Sequence, residues 1–354
     1  MPRLVLEVSA LSRPWSGVDP FLFCAYHVDH YPVGDGELGV SSEMLADRPL
    51  GSDFSAMHGF SMYFGHSVPG FPSHPHRGFE TITIVRSGYV DHADSLGAQA
   101  RYGVGDVQWL TAGAGIQHSE MFPLLHTNKD NPLELFQIWL NLPARSKFVS
   151  PAFKMLWAEE IPHLQRAGVD VTVIAGNLHP TDGSTPLTPV APPPDSWGAQ
   201  IQSDLAIWLI RLEAGASLEL PAARLPEALR TLYVFEGNGL QIDDSTVGNQ
   251  HAVRVDASQL LPLTNTGAEA VQLLLMQGVQ DIHQKMSILC SQFKHLRLFF
   301  AQKCYGLCTG RCNFCASSKE PLVTSTMVCS VFLFDHRLQG NWHEPVQHHQ
   351  EPAD

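Results

Sequence analysis

His74 and His76 stand two residues apart in the stretch Phe71-Pro72-Ser73-His74-Pro75-His76-Arg77-Gly78-Phe79-Glu80, and the β-rich run Thr81-Ile82-Thr83-Ile84-Val85 follows at once. Residues i and i+2 of a strand leave the same face, so both imidazoles aim at one point. Neutral imidazole suits Fe, Zn, Cu or Ni. A second pair with the same spacing, His118 and Glu120, lies in Gly115-Ile116-Gln117-His118-Ser119-Glu120, again after a glycine turn and a strand. The 41 residues between His76 and His118 suffice for several strands and turns. On neighbouring antiparallel strands the two pairs give three nitrogens and one oxygen directed inward. A six-coordinate metal there keeps two open positions, an arrangement suited to non-haem Fe(II) and oxygen chemistry. No cysteine lies nearby, which argues against a structural zinc cage. Three neutral histidines and one carboxylate leave a divalent ion with about one positive charge, which favours an enolate or catecholate oxygen and lowers the pKa of a bound hydroxyl. Glu80 is a second nearby carboxylate, read as a ligand, a partner that orients a ligand, or a base. The catalytic candidates are therefore Glu120 and Glu80.

Plainer readings compete. The chain has 18 histidines in 354 residues, so isolated pairs arise by chance. His27 and His30 fall in a glycine-containing stretch and are set aside, as is His349-Gln350-Glu351, which repeats the spacing near the end of the chain. The second pair in a matching strand-after-turn context is what favours a metal site. Phe79, Trp109, Phe122 and Trp139 flank the ligand strands and serve as core or as the lining of an aromatic pocket. Arg77 adjoins the ligands as a surface charge or a tuning contact, and Asp106 after Gly105 reads as a turn residue.

The elements that must position these residues are strands. Residues 1–26 read as one or two entry strands, with Asp19-Pro20-Phe21-Leu22-Phe23 opening an apolar segment. Residues 27–66 lack periodicity and read as a long surface insertion. From Gly70, short strand-like runs alternate with glycines, which predicts an antiparallel sandwich or barrel. A second block of the same texture begins at Val169 and runs through Leu205–Ile210, Leu232–Phe235, Ala252–Val255 and Val271–Met276, broken by a Pro-rich loop at residues 186–194. The expectation is an all-β chain of two β-domains in tandem.

The bulk composition narrows the classes. Apolar residues make up 44% and charged residues 16%, enough to bury two cores. The formal net charge of −13 argues against sequence-independent binding to nucleic-acid phosphates. No apolar run reaches the roughly 18 residues of a membrane span, and residues 1–10 do not form a signal peptide. The expectation is a soluble, intracellular, monomeric protein. Cys24 is the only cysteine before Cys290, so the body is not a disulfide scaffold.

Two long stretches carry a family resemblance. His74-Pro75-His76-Arg77-Gly78-Phe79-Glu80-Thr81, together with Gly105-Asp106-Val107-Gln108-Trp109-Leu110-Thr111-Ala112-Gly113-Ala114-Gly115-Ile116-Gln117-His118-Ser119-Glu120-Met121, resembles the pirin family of the cupin superfamily. The match is strong over residues 68–175 and weaker over 1–26 and 200–277. The resemblance implies a bicupin of two tandem antiparallel jelly-roll barrels: residues 1–147 as a metal-binding cupin, 148–282 as a metal-free one, and 283–354 as an atypical Cys-rich tail. It implies the ligand set His74, His76, His118 and Glu120, with Fe(II) as the metal and Mn, Ni, Co or Cu as alternatives; Glu80 belongs to the motif but is not a usual ligand. Between residues 199 and 282 the only histidine is His251, which accords with a metal-free second barrel. Family members include quercetin 2,3-dioxygenases, so a flavonol-like aromatic substrate is implied. Eukaryotic members resemble nuclear cofactors that bind transcription regulators, which is the alternative reading and leaves cytoplasm and nucleus both open.

Two departures follow. The 27–66 insertion precedes the metal strand and is placed to cover the mouth of the site. After Gln277-Gly278 the sequence no longer resembles the family, as a frameshift or mis-joined exon would produce. There, Ser287 to Lys303 has helical spacing, and Cys308, Cys312 and Cys315 repeat the spacing of radical S-adenosylmethionine enzymes. A zinc clip with His343, His348 or His349 is a further reading of that segment.

Overall fold

The structure is a computed structural model of the chain and describes residues 3–280. Its named strands pair antiparallel throughout. In chain order the strands are β1 (Val5–Ala10), β2 (Trp15–Ser16), β3 (Phe21–Tyr31), β4 (Gly70–His76), β5 (Phe79–Ser87), β6 (Tyr89–Asp94), β7 (Gln99–Gly103), β8 (Val107–Thr111), β9 (Ile116–Met121), β10 (Asn131–Asn141) and β11 (Ala152–Leu156). They continue with β12 (His163–Arg166), β13 (Val169–Ala175), β14 (Ala206–Leu212), β15 (Ser217–Leu220), β16 (Leu229–Glu236), β17 (Leu240–Ile242), β18 (Ser245–Val247), β19 (His251–Val255), β20 (Leu261–Asn265) and β21 (Val271–Gly278), and fall into two halves.

Each half is a jelly-roll of one large and one small sheet. In the first, a six-stranded sheet ordered β11-β8-β5-β10-β3-β2 faces a four-stranded sheet ordered β4-β9-β6-β7. In the second, a seven-stranded sheet, β1-β19-β16-β21-β14-β13-β12, faces β15-β20-β17-β18. The two large sheets lie back to back. Ile82, Ile84, Trp109, Phe136 and Ile138 of the first meet Ile174, Ile207, Tyr233, Leu274 and Met276 of the second in one buried cluster. This explains why β5 is buried on both faces at its centre: Ile82 and Ile84 fill the interface, while Thr81, Thr83 and Val85 look into the first jelly-roll. The interior of the second is packed with aliphatic residues such as Val171, Leu232, Leu261 and Leu273.

Strand pairing redraws the boundaries expected from the sequence. β1 pairs with β19, so the first strand of the chain belongs to the second half. β11 pairs with β8, so residues 152–156 belong to the first half, beyond the expected break at 147. The supposed insertion also begins later, because β3 runs unbroken through Tyr31 and pairs with β10 along its length. The alternation there escapes a search for apolar periodicity because its inward residues, His27 and Asp29, are polar.

Residues 32–69 then form a loop with one α-helical turn at Ser42–Leu45 and a 3-10 turn at Met57–Gly59. Val40, Phe60, Met62 and Tyr63 from this loop are buried with Val85, Val90, Tyr102, Leu133 and Leu135, closing one end of the first jelly-roll. Its own centre is a buried ion pair, Arg48 Nη1 to Asp53 Oδ2 at 2.6 Å. The expectations for Ser287–Lys303, the cysteines and the zinc clip fall outside the described residues. Among those residues, no helix is long and apolar enough to cross a membrane.

Candidate metal centre

The ligand strands β4 and β9 are neighbours in the small sheet, with His74 opposite His118. Between Phe71 and His74 the register shifts. Phe71 faces Glu120, so one extra residue on β4 is absorbed before His74 reaches His118. Such a bulge re-aims the side chains that follow it. Here it turns His74 and His76 to the face from which Phe71 also projects. On β9 the period of two buries His118 and Glu120 and leaves Gln117 exposed.

The three imidazoles converge. His74 Nε2 lies 3.1 Å from His76 Nε2, and the nearest ring nitrogens of His74, His76 and His118 all lie within 4.8 Å of one another. Metal–nitrogen bonds of about 2.0–2.1 Å place adjacent ligand atoms about 3 Å apart, so the spacing fits a shared ion. The protonation states fit as well. His74 Nδ1 donates to the Pro72 carbonyl at 2.8 Å, which leaves the Nε2 lone pair facing inward. Both nitrogens of His118 and Nδ1 of His76 are buried without a hydrogen-bond partner. Burial, with repulsion from its histidine neighbours, holds His118 down to about 2 and His76 well below its usual value; burial also lowers His74. The rings are neutral donors at neutral pH.

Glu120 lies beside the cluster. Its Oε2 lies 3.8 Å from His118 Nε2. Gln137 Nε2 donates to Glu120 Oε2 at 2.7 Å, and Thr83 Oγ1 to Oε1 at 3.2 Å. Trp139 Nε1 donates to Gln137 Oε1 at 3.2 Å, which fixes which end of the amide faces Glu120. Partners that orient a metal ligand are typically worth about 10–100-fold in metal affinity. Gln137→Ala is therefore expected to weaken metal binding by about that factor without unfolding the chain, measured by competition with a chelator. An unchanged affinity would show that Glu120 needs no such support.

Glu80 is not in this cluster. It lies on β5 one residue out of phase with Thr81 and Thr83, so its side chain leaves by the opposite face. There its Oε1 accepts from Thr111 Oγ1 at 2.5 Å and Trp109 Nε1 at 3.2 Å, and its Oε2 from Ser196 Oγ at 3.0 Å and the Trp197 N–H at 3.1 Å. Glu80 thus ties the two halves together, and the expected base or ligand role has no geometric support. Burial pushes its pKa up to about 7 even though these four bonds pull it down. A raised folded pKa contributes stability that is complete below the unfolded value, near 4.5, and is lost as pH rises through about 7. The thermal stability of the wild type should therefore fall as pH rises across that window, by on the order of 3 kcal/mol for this group. Glu80→Gln should flatten the slope. An identical pH slope in the two proteins would contradict the assignment.

Other candidates separate in the same way. Trp109 is buried in the interface between halves. Phe79 and Trp139 stack with centroids 4.3 Å apart and edge onto His76, and Phe122 packs near Phe71 and His27. Phe79 and Trp139 line the centre, and Phe122 stands behind Phe71. Arg77 lies over the Phe148 ring. Asp106 Oδ2 accepts from the Gly103 N–H within its turn, as expected.

Two groups were missed by sequence reasoning. His92 faces Glu120 across β6 and β9, is buried, bonds Asp94 at 3.1 Å and stacks on Phe153. The spacing of His92-Ala93-Asp94 is the same two-residue signal as the ligand pairs. His27, set aside from the sequence, projects from β3 into the same interior and meets Phe71 edge-on.

A tandem jelly-roll with one histidine cluster inside its first half defines a two-domain cupin with a candidate metal centre. The chain belongs to the pirin family: the family model described as Pirin matches residues 39–140. A Pseudomonas aeruginosa protein carrying a provisional quercetin 2,3-dioxygenase name is 35% identical over 224 residues, 61% of this chain and 71% of that protein. A pirin-like protein of Solanum lycopersicum is 32% identical over 223 residues, 61% of this chain and 68% of that one. The crystal structure of a quercetin 2,3-dioxygenase from Acinetobacter baumannii shares the fold, with a TM-score of 0.56 and 24% identity over 78% of this chain and 86% of that chain.

Proposed function

We propose that this chain is a mononuclear metal-dependent dioxygenase that opens the ring of a flavonol-like substrate. His74, His76, His118 and Glu120 would hold the metal, with Fe(II) the best match to a nitrogen-rich site with a single carboxylate. Bound there, the metal supplies Lewis acidity toward a substrate oxygen and redox chemistry toward O2. The observation that carries this reading is the convergence of three neutral imidazoles on one point beside a carboxylate held by Thr83 and Gln137.

The remaining work belongs to the chain. Phe79, Trp139, Phe71 and Phe122 offer apolar walls for a planar aromatic ligand. Glu120 has an oxygen at the centre and can accept a proton from an adjacent hydroxyl, while Gln137 and Thr83 keep its carboxylate in place. The side of the cluster at His74 is only partly buried, which gives ligand a way in.

The test is turnover. The full chain loaded with Fe(II) is mixed with quercetin under O2, and loss of the flavonol absorbance is followed together with release of carbon monoxide. Carbon monoxide equimolar with quercetin consumed is the expected result. Full iron occupancy without turnover would overturn the dioxygenase reading and favour a non-enzymatic, iron-sensing role toward a protein partner.

A further inference from the structure

We propose that Asp29, Tyr63 and His27 form a hydrogen-bond relay that presents His27 Nε2, unprotonated, as the acceptor for a hydroxyl group of the ligand at the metal centre. This rests on the dioxygenase reading for the identity of the ligand class, a polyhydroxylated aromatic, but the relay itself is read from the chain alone.

The bonds fix one another. Asp29 is buried, and its Oδ1 accepts the Ser61 N–H at 2.8 Å. Its Oδ2 lies 2.7 Å from the Tyr63 hydroxyl. An ionised carboxylate can only accept, so Tyr63 must donate to it. A phenol has one proton, so toward His27 the Tyr63 oxygen can only accept. His27 Nδ1 lies 2.7 Å from that oxygen and must therefore be the N–H. In a neutral imidazole the other nitrogen then carries the lone pair. Burial pushes Asp29 up to about 6 and His27 down to about 4, so above neutral pH the first is a carboxylate and the second an uncharged ring.

The placement gives this lone pair a use. His27 sits opposite Leu135 on the inner face of the large sheet, next to the Ala25–Gln137 pair from which Gln137 reaches Glu120. Its ring meets Phe71 and Phe122 edge-on or tilted at 6.0 and 6.5 Å, and Phe71 in turn lies 6.3 Å from His74. The negative charge of Glu120 acts on the ring. No hydrogen bond from a described residue reaches Nε2, and the ring is only partly buried.

Tyr63 shows that the arrangement is held against resistance. Its backbone is left-handed, φ 55°, which a bulky aromatic residue rarely adopts. Such conformations persist where the surroundings over-determine them, often at functional positions. Here backbone bridges to Asp53 and Gly70 hold the residue, and its ring stacks on Phe71 at 5.1 Å. That geometry puts the hydroxyl between Asp29 and His27.

The experiment uses the full chain loaded with Zn(II), which is diamagnetic, and with histidine labelled by nitrogen-15. The His27 signals are identified by their disappearance in His27→Phe. The wild type should show the Nδ1–H tautomer for His27, and Tyr63→Phe should lose that preference. An Nε2–H tautomer in the wild type would overturn the relay. Anaerobic addition of a flavonol should shift the Nε2 resonance, whereas its O-methylated analogue should not. His27→Phe should weaken the flavonol by about tenfold, the worth of one hydrogen bond, and leave the analogue and the Zn(II) stoichiometry unchanged. Equal affinity of wild type and His27→Phe for the flavonol would overturn the inference and leave the dioxygenase reading standing. A wild type that binds neither compound would overturn both.

Discussion

His76→Ala is expected to yield a folded chain that no longer retains metal. The side chain lies at the buried heart of the cluster, 3.1 Å from the His74 nitrogen and with its ring centroid 4.7 Å from that of His118. The two other histidines of this interior are each engaged at one nitrogen, His92 Nε2 with Asp94 and His27 Nδ1 with Tyr63. Even a partner that only orients a ligand is worth about 10–100-fold in affinity, so loss of a ligand should cost at least about 100-fold. The same change also removes a crowded ring whose Nδ1 is buried without a hydrogen-bond partner, so thermal stability without metal should hold or rise slightly. Metal content after gel filtration, set beside the unfolding temperature with and without chelator, checks both halves. Stoichiometric iron in His76→Ala would refute the ligand assignment.

Arg48→Ala should be the most damaging single change outside the cores. The guanidinium is fully buried, pairs with Asp53 at 2.6 Å, and donates to the carbonyls of Met44, Phe60 and Met57 at 3.0, 3.1 and 2.5 Å. It also lies 3.8 Å over the Phe60 ring. Removing one partner of a buried pair leaves an uncompensated charge and typically costs about 3–5 kcal/mol. Here it also takes a donor from three carbonyls, of which Met57 keeps the Phe60 N–H. The loss is capped by the free energy that keeps residues 32–69 closed, because the loop can open locally before the jelly-rolls do. The expected result is early proteolysis within 32–69 and a lower denaturation midpoint. Because Tyr63 exchanges backbone bonds with Asp53 and the Met62 N–H donates to the Asp53 carboxylate, the Nδ1–H preference of His27 should fade as well. A stability change below about 1 kcal/mol with unchanged proteolysis would contradict a closed, ion-paired loop.

The histidine cluster was legible because strand periodicity and ligand chemistry coincide. His74, His76, His118 and Glu120 each lie two residues from a partner, so one assumption about strands aims all four. Glu80 failed the same test in plain view. It is four residues from His76, but the turn at Arg77-Gly78 separates the two strands, and its phase on β5 is that of Ile82 and Ile84, not of Thr83. The bulge before His74 could not be read, since it depends on which residue of β9 faces Phe71. His27 was hidden for a different reason. Its strand has polar inward residues, so it lacks the apolar alternation that marks a strand, and its partners Asp29 and Tyr63 lie 2 and 36 positions away. The tandem fold was legible from glycine-punctuated strands, whereas the transfer of β1 to the far sheet is a long-range pairing with no local signal.

The full chain offers a metal two kinds of home: the nitrogen and oxygen donors of the first jelly-roll, and the cysteines between Cys290 and Cys329. X-ray absorption at the iron edge of protein loaded with one equivalent of Fe(II) separates them. The predicted result is a first shell of nitrogen and oxygen only, with the outer-shell scattering of about three imidazoles, and its loss in His76→Ala. A shell containing sulfur, or one unchanged by His76→Ala, would contradict the assignment of His74, His76, His118 and Glu120 as the metal centre.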